Sequence, residues 1–119
     1  MDLKVYKCNK CGALVISFDE DEMECCGENM VEQIPNSVDA SFEKHLPTYT
    51  IEGNKMIAEV HHVMEEEHYI MWIKLVYENS EKTFYFKPGD VPEVNSKYEP
   101  GMKAYAYCNN HGLWVRDVV

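Results

Sequence analysis

Four of the five cysteines lie within the first 26 residues of this 119-residue chain, and this clustering restricts what that segment can fold into. A unit as short as residues 1–37 rarely folds on apolar burial alone, because below about 40 residues a metal ion or disulfides are usually needed. The cysteine count is odd and the first residues contain no apolar export signal, so a disulfide framework is disfavoured. We therefore expect metal binding to supply much of the folding free energy of this unit.

The cysteine spacing is typical of a tetrahedral thiolate site. The pattern is Cys8-x2-Cys11-x13-Cys25-Cys26, and a glycine follows each pair. Four sulfur ligands suit either zinc or a single iron ion. The second pair is adjacent, without the two intervening residues of the usual zinc-ribbon turn, so we expect a distorted tetrahedron. Two interpretations remain open: a zinc clip that only folds the unit, and a redox-active iron site.

The remainder of the chain, residues 38–119, alternates apolar and polar side chains with the period of β-strands. The alternating segments are 55–62, 69–77, 83–87 and 102–108. In segment 69–77 the odd-numbered residues are predicted to share one face, and Ile70, Trp72, Lys74 and Val76 the other. Turns rich in glycine, proline and asparagine separate the segments, and Pro35 and Asn36 mark a linker between the two units. These features predict an all-β chain in which a small antiparallel sandwich follows the metal unit.

Composition and charge argue against several classes of function. Apolar residues make up 45% of the chain and charged residues 27%, which is typical of a folded globular protein. The net charge of −10 disfavours a nucleic-acid backbone or an anionic lipid surface as partner. No apolar run is long enough to span a membrane, and the absence of an export signal predicts a cytoplasmic protein.

A second pool of metal ligands lies in the second unit. Its histidines all follow residue 44: His45, His61, His62, His68 and His111. The Cys108-x2-His111 pair is a weak signal alone, and His62 alone would be interpreted as a hydrogen-bonded core histidine. We expect His61 to lie at the surface. Together, the other four imidazoles and Cys108 could meet at one metal ion. Five such ligands do not suit a closed zinc site, and they favour iron with one open position.

These residues resemble a known family, the superoxide reductases of the two-iron desulfoferrodoxin type, over nearly the whole chain. In the first unit the resemblance rests on Tyr6-Lys7-Cys8-x2-Cys11-Gly12 and Cys25-Cys26-Gly27-Glu28-x-Met30. In the second it rests on Glu43-Lys44-His45-x-Pro47, His62-x-Met64-Glu65-Glu66-x-His68-Tyr69-Ile70, Lys87-Pro88-Gly89-Asp90 and Cys108-Asn109-x-His111-Gly112-Leu113-Trp114. The sequence departs from the family pattern at Val63, directly after His62, where proline is common in the family. Val63 is not a ligand, so the departure affects only the stiffness of the loop that follows His62.

The resemblance implies an enzyme that reduces superoxide to hydrogen peroxide with one electron and two protons. It implies an iron centre with His45, His62, His68 and His111 equatorial and Cys108 axial. Its sixth position would be open. The fold that it implies for residues 38–119 is an immunoglobulin-like β-sandwich.

For residues 1–37 the resemblance implies a desulforedoxin-like unit. A second iron ion would be bound there by Cys8, Cys11, Cys25 and Cys26, with zinc as a substitute. It also implies a homodimer and a rubredoxin-like electron donor.

Two further residues are candidates for catalysis. Lys44, next to His45, would attract the superoxide anion and help deliver a proton, because a protein of net charge −10 needs a local positive patch to steer an anion. Glu43 would place a hard carboxylate on the ferric centre after the product leaves. Two other functions remain as alternatives: a non-catalytic iron electron carrier, and a zinc-stabilised protein that binds a partner through its acidic surface.

Overall fold

The computed structural model describes residues 3–17, 23–37 and 45–118, and these ranges form twelve β-strands. The strands are β1 (Lys4–Lys7), β2 (Leu14–Ser17), β3 (Glu24–Cys25), β4 (Glu28–Asn29), β5 (Val31–Glu32), β6 (Thr48–Glu52), β7 (Lys55–Glu59), β8 (Ile70–Val76), β9 (Glu81–Tyr85), β10 (Glu93–Lys97), β11 (Lys103–Cys108) and β12 (Gly112–Asp117). The prediction of an all-β chain is confirmed. Within these ranges, no helix has the length and apolar character needed to cross a membrane.

The first compact unit is Met1–Ile34. Its three-stranded antiparallel sheet has the order β2-β1-β5, and β3 and β4 form a separate two-stranded hairpin. The core cluster is small, with Tyr6, Cys8 and Met30 buried and Val15 and Met23 packed against them. A metal-ligand candidate, Cys8, is therefore itself one of the few side chains that are buried in the described part of this unit.

The second unit, Pro35–Val119, contains a three-stranded sheet and a four-stranded sheet. Their orders are β10-β7-β6 and β12-β11-β8-β9, and every strand pair is antiparallel. Buried side chains from both sheets form one core: Met56, Ala58, Val60, Ile70, Ile73, Leu75, Tyr77, Val94, Met102, Ala104, Ala106, Cys108 and Val118. Because the two sheets share this core, the unit is a β-sandwich. Asn36 joins it by exchanging two hydrogen bonds with the backbone of Val115.

Strand β8 departs from the predicted alternation at one end. Ile73 and Leu75 enter the core as expected, but Ile70 enters the same core. The reason is a β-bulge, since Tyr107 of β11 pairs with Trp72 whereas Cys108 pairs with Ile70. One residue of β8 is therefore unpaired, which reverses the facing of the residues before it. The prediction that Ile70 faces away from Ile73 is wrong for this reason.

Candidate metal centres

The first candidate centre is built from two turns of the first unit. Cys8 follows β1, and the chain then turns back towards β2 through Cys11 and Gly12. The Gly12 N–H donates to the Cys8 carbonyl at 2.8 Å, and the Cys8 N–H donates to the Ala13 carbonyl at 2.9 Å. Gly12 has a φ of +78°, a conformation that a side chain would strain. These contacts bring the thiols of Cys8 and Cys11 to the same side of the turn.

The second turn is the β3–β4 hairpin, which explains how adjacent cysteines can serve one site. Cys25 ends β3 and pairs with Glu28, so only two residues form the turn. Both have positive φ, +54° at Cys26 and +77° at Gly27. Two consecutive left-handed residues make the tight turn that suits an antiparallel hairpin. The turn brings the Cys26 thiol to 3.8 Å from the Cys25 sulfur, without a two-residue spacer.

The four sulfur atoms fit a tetrahedral ion. All lie within 4.8 Å of one another. The Cys11 and Cys25 sulfurs are 3.5 Å apart, and the Cys25 and Cys26 sulfurs are 3.8 Å apart. Metal–sulfur bonds of about 2.3 Å arranged tetrahedrally place neighbouring sulfurs about 3.8 Å apart. The structure therefore brings together the four cysteines in the arrangement that zinc or iron requires.

The thiols of this group differ in acidity because of their hydrogen bonds. The backbone N–H of Cys11 points at the Cys8 sulfur from 3.5 Å and lowers the pKa of Cys8 to about 6. In contrast, the neighbouring thiol of Cys11 raises the pKa of Cys25 to about 12. The pKa of Cys26 is also raised, again chiefly by Cys11. At neutral pH, Cys8 is thus ready to bind a cation, whereas Cys25 and Cys26 must first lose protons.

We expect metal uptake by this group to release at least two protons at pH 7, because the raised pKa values of Cys25 and Cys26 keep them protonated in the metal-free protein. Each displaced proton makes affinity rise about tenfold per pH unit, so affinity should increase at least about a hundredfold from pH 7 to pH 8. Below pH 6 the dependence should steepen as Cys8 becomes protonated. Competition with a chromophoric chelator across this pH range would measure the slope, and a slope of one decade per pH unit or less between pH 7 and pH 8 would contradict the assignment.

The second candidate centre lies where strand ends of both sheets of the sandwich meet. His45 precedes β6, His62 follows β7, and His68 precedes β8. Cys108 is the last residue of β11, and His111 lies in the turn between β11 and β12. Cys108 and His45 are buried, and the other three side chains are half-buried. The site is therefore assembled from parts of the chain up to 66 residues apart, as the contact between His45 and His111 shows.

The four imidazole rings form a square. Around it, His45, His62, His68 and His111 follow one another with neighbouring ring centroids 4.5–4.9 Å apart and ring planes inclined by 71–84°. The diagonal from His45 to His68 is longer, at 6.2 Å. The sulfur of Cys108 lies 3.4 Å from Nε2 of His62 and 3.8 Å from Nδ1 of His111, which are opposite corners. Contact with both corners places the sulfur near the axis of the square.

The structure also identifies the nitrogen that each ring presents. His45 Nε2 and His68 Nε2 lie 3.0 and 3.2 Å from Nδ1 of His111. Two metal–nitrogen bonds of about 2.1 Å at a right angle place their nitrogens about 3.0 Å apart. His62 uses Nε2, because its Nδ1 is hydrogen-bonded to the Val63 carbonyl. The donor set of four nitrogens in a square and one axial sulfur fits iron and does not fit a closed tetrahedral ion.

Neighbouring groups hold these side chains in place. The Trp114 ring stacks on His45 with centroids 5.0 Å apart and planes inclined by 23°. Its Nε1–H donates to the His111 carbonyl at 3.2 Å, so one buried indole supports two corners of the square. Burial lowers the pKa of His62 to about 4, which keeps the ring neutral and able to bind a cation at physiological pH. Burial also raises the pKa of the Cys108 thiol, so that a metal must displace its proton.

The sequence-based candidates divide into three groups. The structure brings together all nine predicted ligands in two groups, as described above. His61 is exposed and lies 3.6 Å from a carboxylate oxygen of Glu59, which confirms its assignment to the surface. Glu43 and Lys44 lie outside the described residues. The supporting role of Trp114 was not predicted. Its presence at the end of the Cys108-Asn109-x-His111-Gly112-Leu113-Trp114 motif could have indicated that it lies close to the ligands.

The fold and site define a class of protein: a small β unit with a tetrathiolate group, followed by a β-sandwich with a square of imidazoles and an axial thiolate. The sequence model of the Desulfoferrodoxin family matches residues 37–117. The chain therefore belongs to the desulfoferrodoxin family.

Named relatives cover almost the whole chain. The desulfoferrodoxin of Desulfarculus baarsii is 40% identical over 97% of this chain and 96% of its own length. The desulfoferrodoxin homolog of Archaeoglobus fulgidus is 37% identical over 94% of each chain. The crystal structure of the superoxide reductase from Treponema pallidum superposes with a TM-score of 0.76 at 25% identity, and covers 98% of this chain and 99% of that one. The predicted fold, a small β unit followed by an immunoglobulin-like sandwich, is confirmed.

Proposed function

We propose that this protein is a superoxide reductase, which converts superoxide to hydrogen peroxide. The observation that carries the proposal is the square of His45, His62, His68 and His111 with the Cys108 sulfur on its axis. These five residues would bind a single iron ion, which would supply the one-electron chemistry that reduction of superoxide needs. Family membership and the likeness to a solved superoxide reductase support the same activity.

Iron held by these five residues would supply one electron to superoxide, and two protons would complete hydrogen peroxide. The Cys108 thiolate would donate electron density to that ion, a property that thiolate ligands have in haem enzymes. The stacked Trp114 and the His62–Val63 hydrogen bond hold the imidazoles in orientation before the ion binds. Preorganised ligands favour rapid electron transfer because little must move during the reaction. We propose that the carboxylate of Glu43 would bind to the iron after the product has left. A carboxylate oxygen is a hard ligand, so it would favour the ferric state of that iron.

For the first unit we propose a desulforedoxin-like role over residues 1–37, followed by the catalytic unit over 38–119. Cys8, Cys11, Cys25 and Cys26 would bind a second iron ion, with zinc as a substitute. The difference between the two metals is functional, because only iron can pass electrons on to the catalytic site. We further propose a rubredoxin-like protein as electron donor, a homodimer as the assembly, and the cytoplasm as the location.

The test of the proposed function is superoxide consumption by the iron-loaded protein with an electron donor present. A reductase forms one hydrogen peroxide per superoxide and releases no oxygen, whereas a dismutase releases oxygen and an electron carrier is not turned over by superoxide. Metal analysis and the visible spectrum accompany the assay. Zinc without iron in the active preparation, or oxygen release in proportion to superoxide consumed, would overturn the proposal.

We expect Lys44→Ala to slow the reaction with superoxide and to weaken its dependence on ionic strength. A unit charge about 5 Å from an anion contributes about 0.8 kcal/mol in water, which corresponds to about fourfold in rate. The control is Lys55→Ala, which removes the same charge from the exposed start of β7, seven residues before His62. Pulse radiolysis across a salt series measures both variants. Equal rates for the two variants at every salt concentration would remove Lys44 from the steering role.

A further inference from the structure

The side chain of Asn109 connects the two loops that carry Cys108 and His68. Its Oδ1 accepts the backbone N–H of Tyr69 at 3.0 Å, and its Nδ2 donates to the carbonyl of Glu67 at 3.1 Å. The Asn109 backbone N–H donates to the Tyr69 carbonyl at 3.2 Å. Asn109, which follows Cys108, is therefore hydrogen-bonded to both neighbours of His68, Glu67 and Tyr69.

These bonds extend the sheet beyond its last regular pair. The ladder between β8 and β11 ends where Ile70 pairs with Cys108, next to the bulge. One residue further on, Tyr69 uses both its backbone N–H and its carbonyl with Asn109, as in a regular antiparallel pair. The amide oxygen of Asn109 replaces the backbone carbonyl that would normally accept this N–H. The backbone of 109–111 is thereby free to turn and present His111 to the site.

The His68 loop lies outside the regular strands, so individual hydrogen bonds attach it to the sandwich: those of Asn109 next to His68, and the bond from the Gly89 N–H to the Met64 carbonyl at 2.8 Å further back in the loop. His68 lies between β7 and β8, and the preceding residues 65–67 are exposed. Within the loop, His68 exchanges backbone hydrogen bonds with Glu65 at 3.0 and 3.2 Å, which closes a local turn but does not attach it to the sandwich. Both polar ends of the Asn109 amide are used in attaching it, so the orientation of this side chain is determined by its partners.

We propose that Asn109 is a positioning residue that holds His68 in register with Cys108, and thereby sets how firmly the catalytic iron is bound. The inference rests on the proposed function, since it concerns the same iron site. Neighbouring residues that orient metal ligands typically contribute 10–100-fold in metal affinity. We therefore expect Asn109→Ala to release iron to a chelator about 10–100 times faster than the parent protein, and to shift the thiolate-to-iron absorption band.

Asn110→Ala is the matched control. Asn110 is the adjacent residue of the same type, and its Nδ2 donates to the same Glu67 carbonyl at 3.1 Å. Its removal leaves all three Asn109 bonds in place, so we expect iron release within about threefold of the parent rate and an unshifted band. Ile73→Val, which removes a buried methylene from the core, serves as a second control for lost stability without lost positioning.

The iron-loaded variants are compared by rate of iron loss, position of the thiolate-to-iron band and urea midpoint. A purely structural role for Asn109 predicts a lowered midpoint with an unshifted band, as for Ile73→Val, and would overturn the proposal. Equal release rates for Asn109→Ala and Asn110→Ala would also overturn it. If Asn109→Ala does not fold, Asn109→Asp, which retains an oxygen for the Tyr69 N–H but loses the donor to Glu67, takes its place with the same criteria. A parent protein that binds no iron at this site would instead refute the proposed function, and the role of Asn109 with it.

Discussion

The Cys108→Ser variant is expected to lose the thiolate-to-iron absorption band and most of its superoxide reductase activity. The loss should exceed the roughly 10–100-fold that follows from removing a residue which only orients a metal ligand. Serine is close to cysteine in shape, so the fully buried position at the end of β11 remains filled and the sandwich should stay folded. What changes is the donor atom on the axis of the imidazole square.

The physical reason lies in the difference between sulfur and oxygen as ligands. A thiolate is soft and donates electron density strongly, whereas a serine hydroxyl is hard and remains protonated at neutral pH. Burial raises the pKa of the Cys108 thiol, yet a bound cation can still displace that proton. The variant should therefore retain iron on four imidazole nitrogens but bind it more weakly.

The matched control is Cys11→Ser, the same substitution in the other cysteine group. It should leave the thiolate band of the catalytic centre unchanged, because Cys11 lies with the first unit's thiols and not with the histidines. Absorption spectra and superoxide consumption would be recorded for both variants at equal iron content. A Cys108→Ser protein that retains the band, or a Cys11→Ser protein that loses it, would contradict the assignment of the axial sulfur.

The identity of the ligands was predictable because it depends on residue type and spacing. Two closely spaced pairs of cysteines, Cys8 with Cys11 and Cys25 with Cys26, indicate metal binding when they occur in a unit too short to fold on apolar burial alone. The histidines were harder, since His45 and His111 are 66 residues apart. Residue type indicated only that four imidazoles and Cys108 could meet at one ion, and the resemblance to a family supplied the equatorial and axial positions. The nitrogen that each ring presents could not be predicted, because it depends on backbone placement. His111, in a tight turn beside Cys108, presents Nδ1, whereas His45 and His68 present Nε2.

Packing produced the remaining departures from prediction. The alternation along β8 failed at Ile70 because a bulge adds one residue to the strand, and a bulge has no reliable mark in a single sequence. Lys74 was placed on the face shared by Ile70, Trp72 and Val76, with no prediction of its burial; it is buried, and its ammonium lies 2.7 Å from a carboxylate oxygen of Glu81. The partner comes from the neighbouring strand β9, so the burial of this charge depends on sheet pairing that alternation alone does not specify.

Loss of the metal from the tetrathiolate group is expected to unfold the first unit while the sandwich remains folded. The described part of this unit has a small core cluster, centred on Tyr6, Cys8 and Met30. Structural zinc sites contribute about 10–16 kcal/mol in zinc-finger peptides at neutral pH, as much as the whole stability of an ordinary domain. Without the ion, pairing of β1 with β2 and β5 should become unstable.

The double variant Cys11→Ser, Cys25→Ser tests this without a chelator, which would strip both centres. Amide hydrogen exchange of Lys4–Lys7 should accelerate to nearly unprotected rates, because these residues form the central strand of the three-stranded sheet. Both tryptophans, Trp72 and Trp114, belong to the second unit, so tryptophan emission reports the sandwich alone and should not change.

The reciprocal control is His62→Ala, which removes one corner of the imidazole square and leaves all four thiols intact. Its Lys4–Lys7 amides should stay protected, because the first unit retains its metal. If these amides also stay protected in the double cysteine variant, apolar packing alone would be sufficient to fold the unit. Metal binding by the four cysteines would then not be what folds the unit, because stability that persists without the ion cannot come from metal binding.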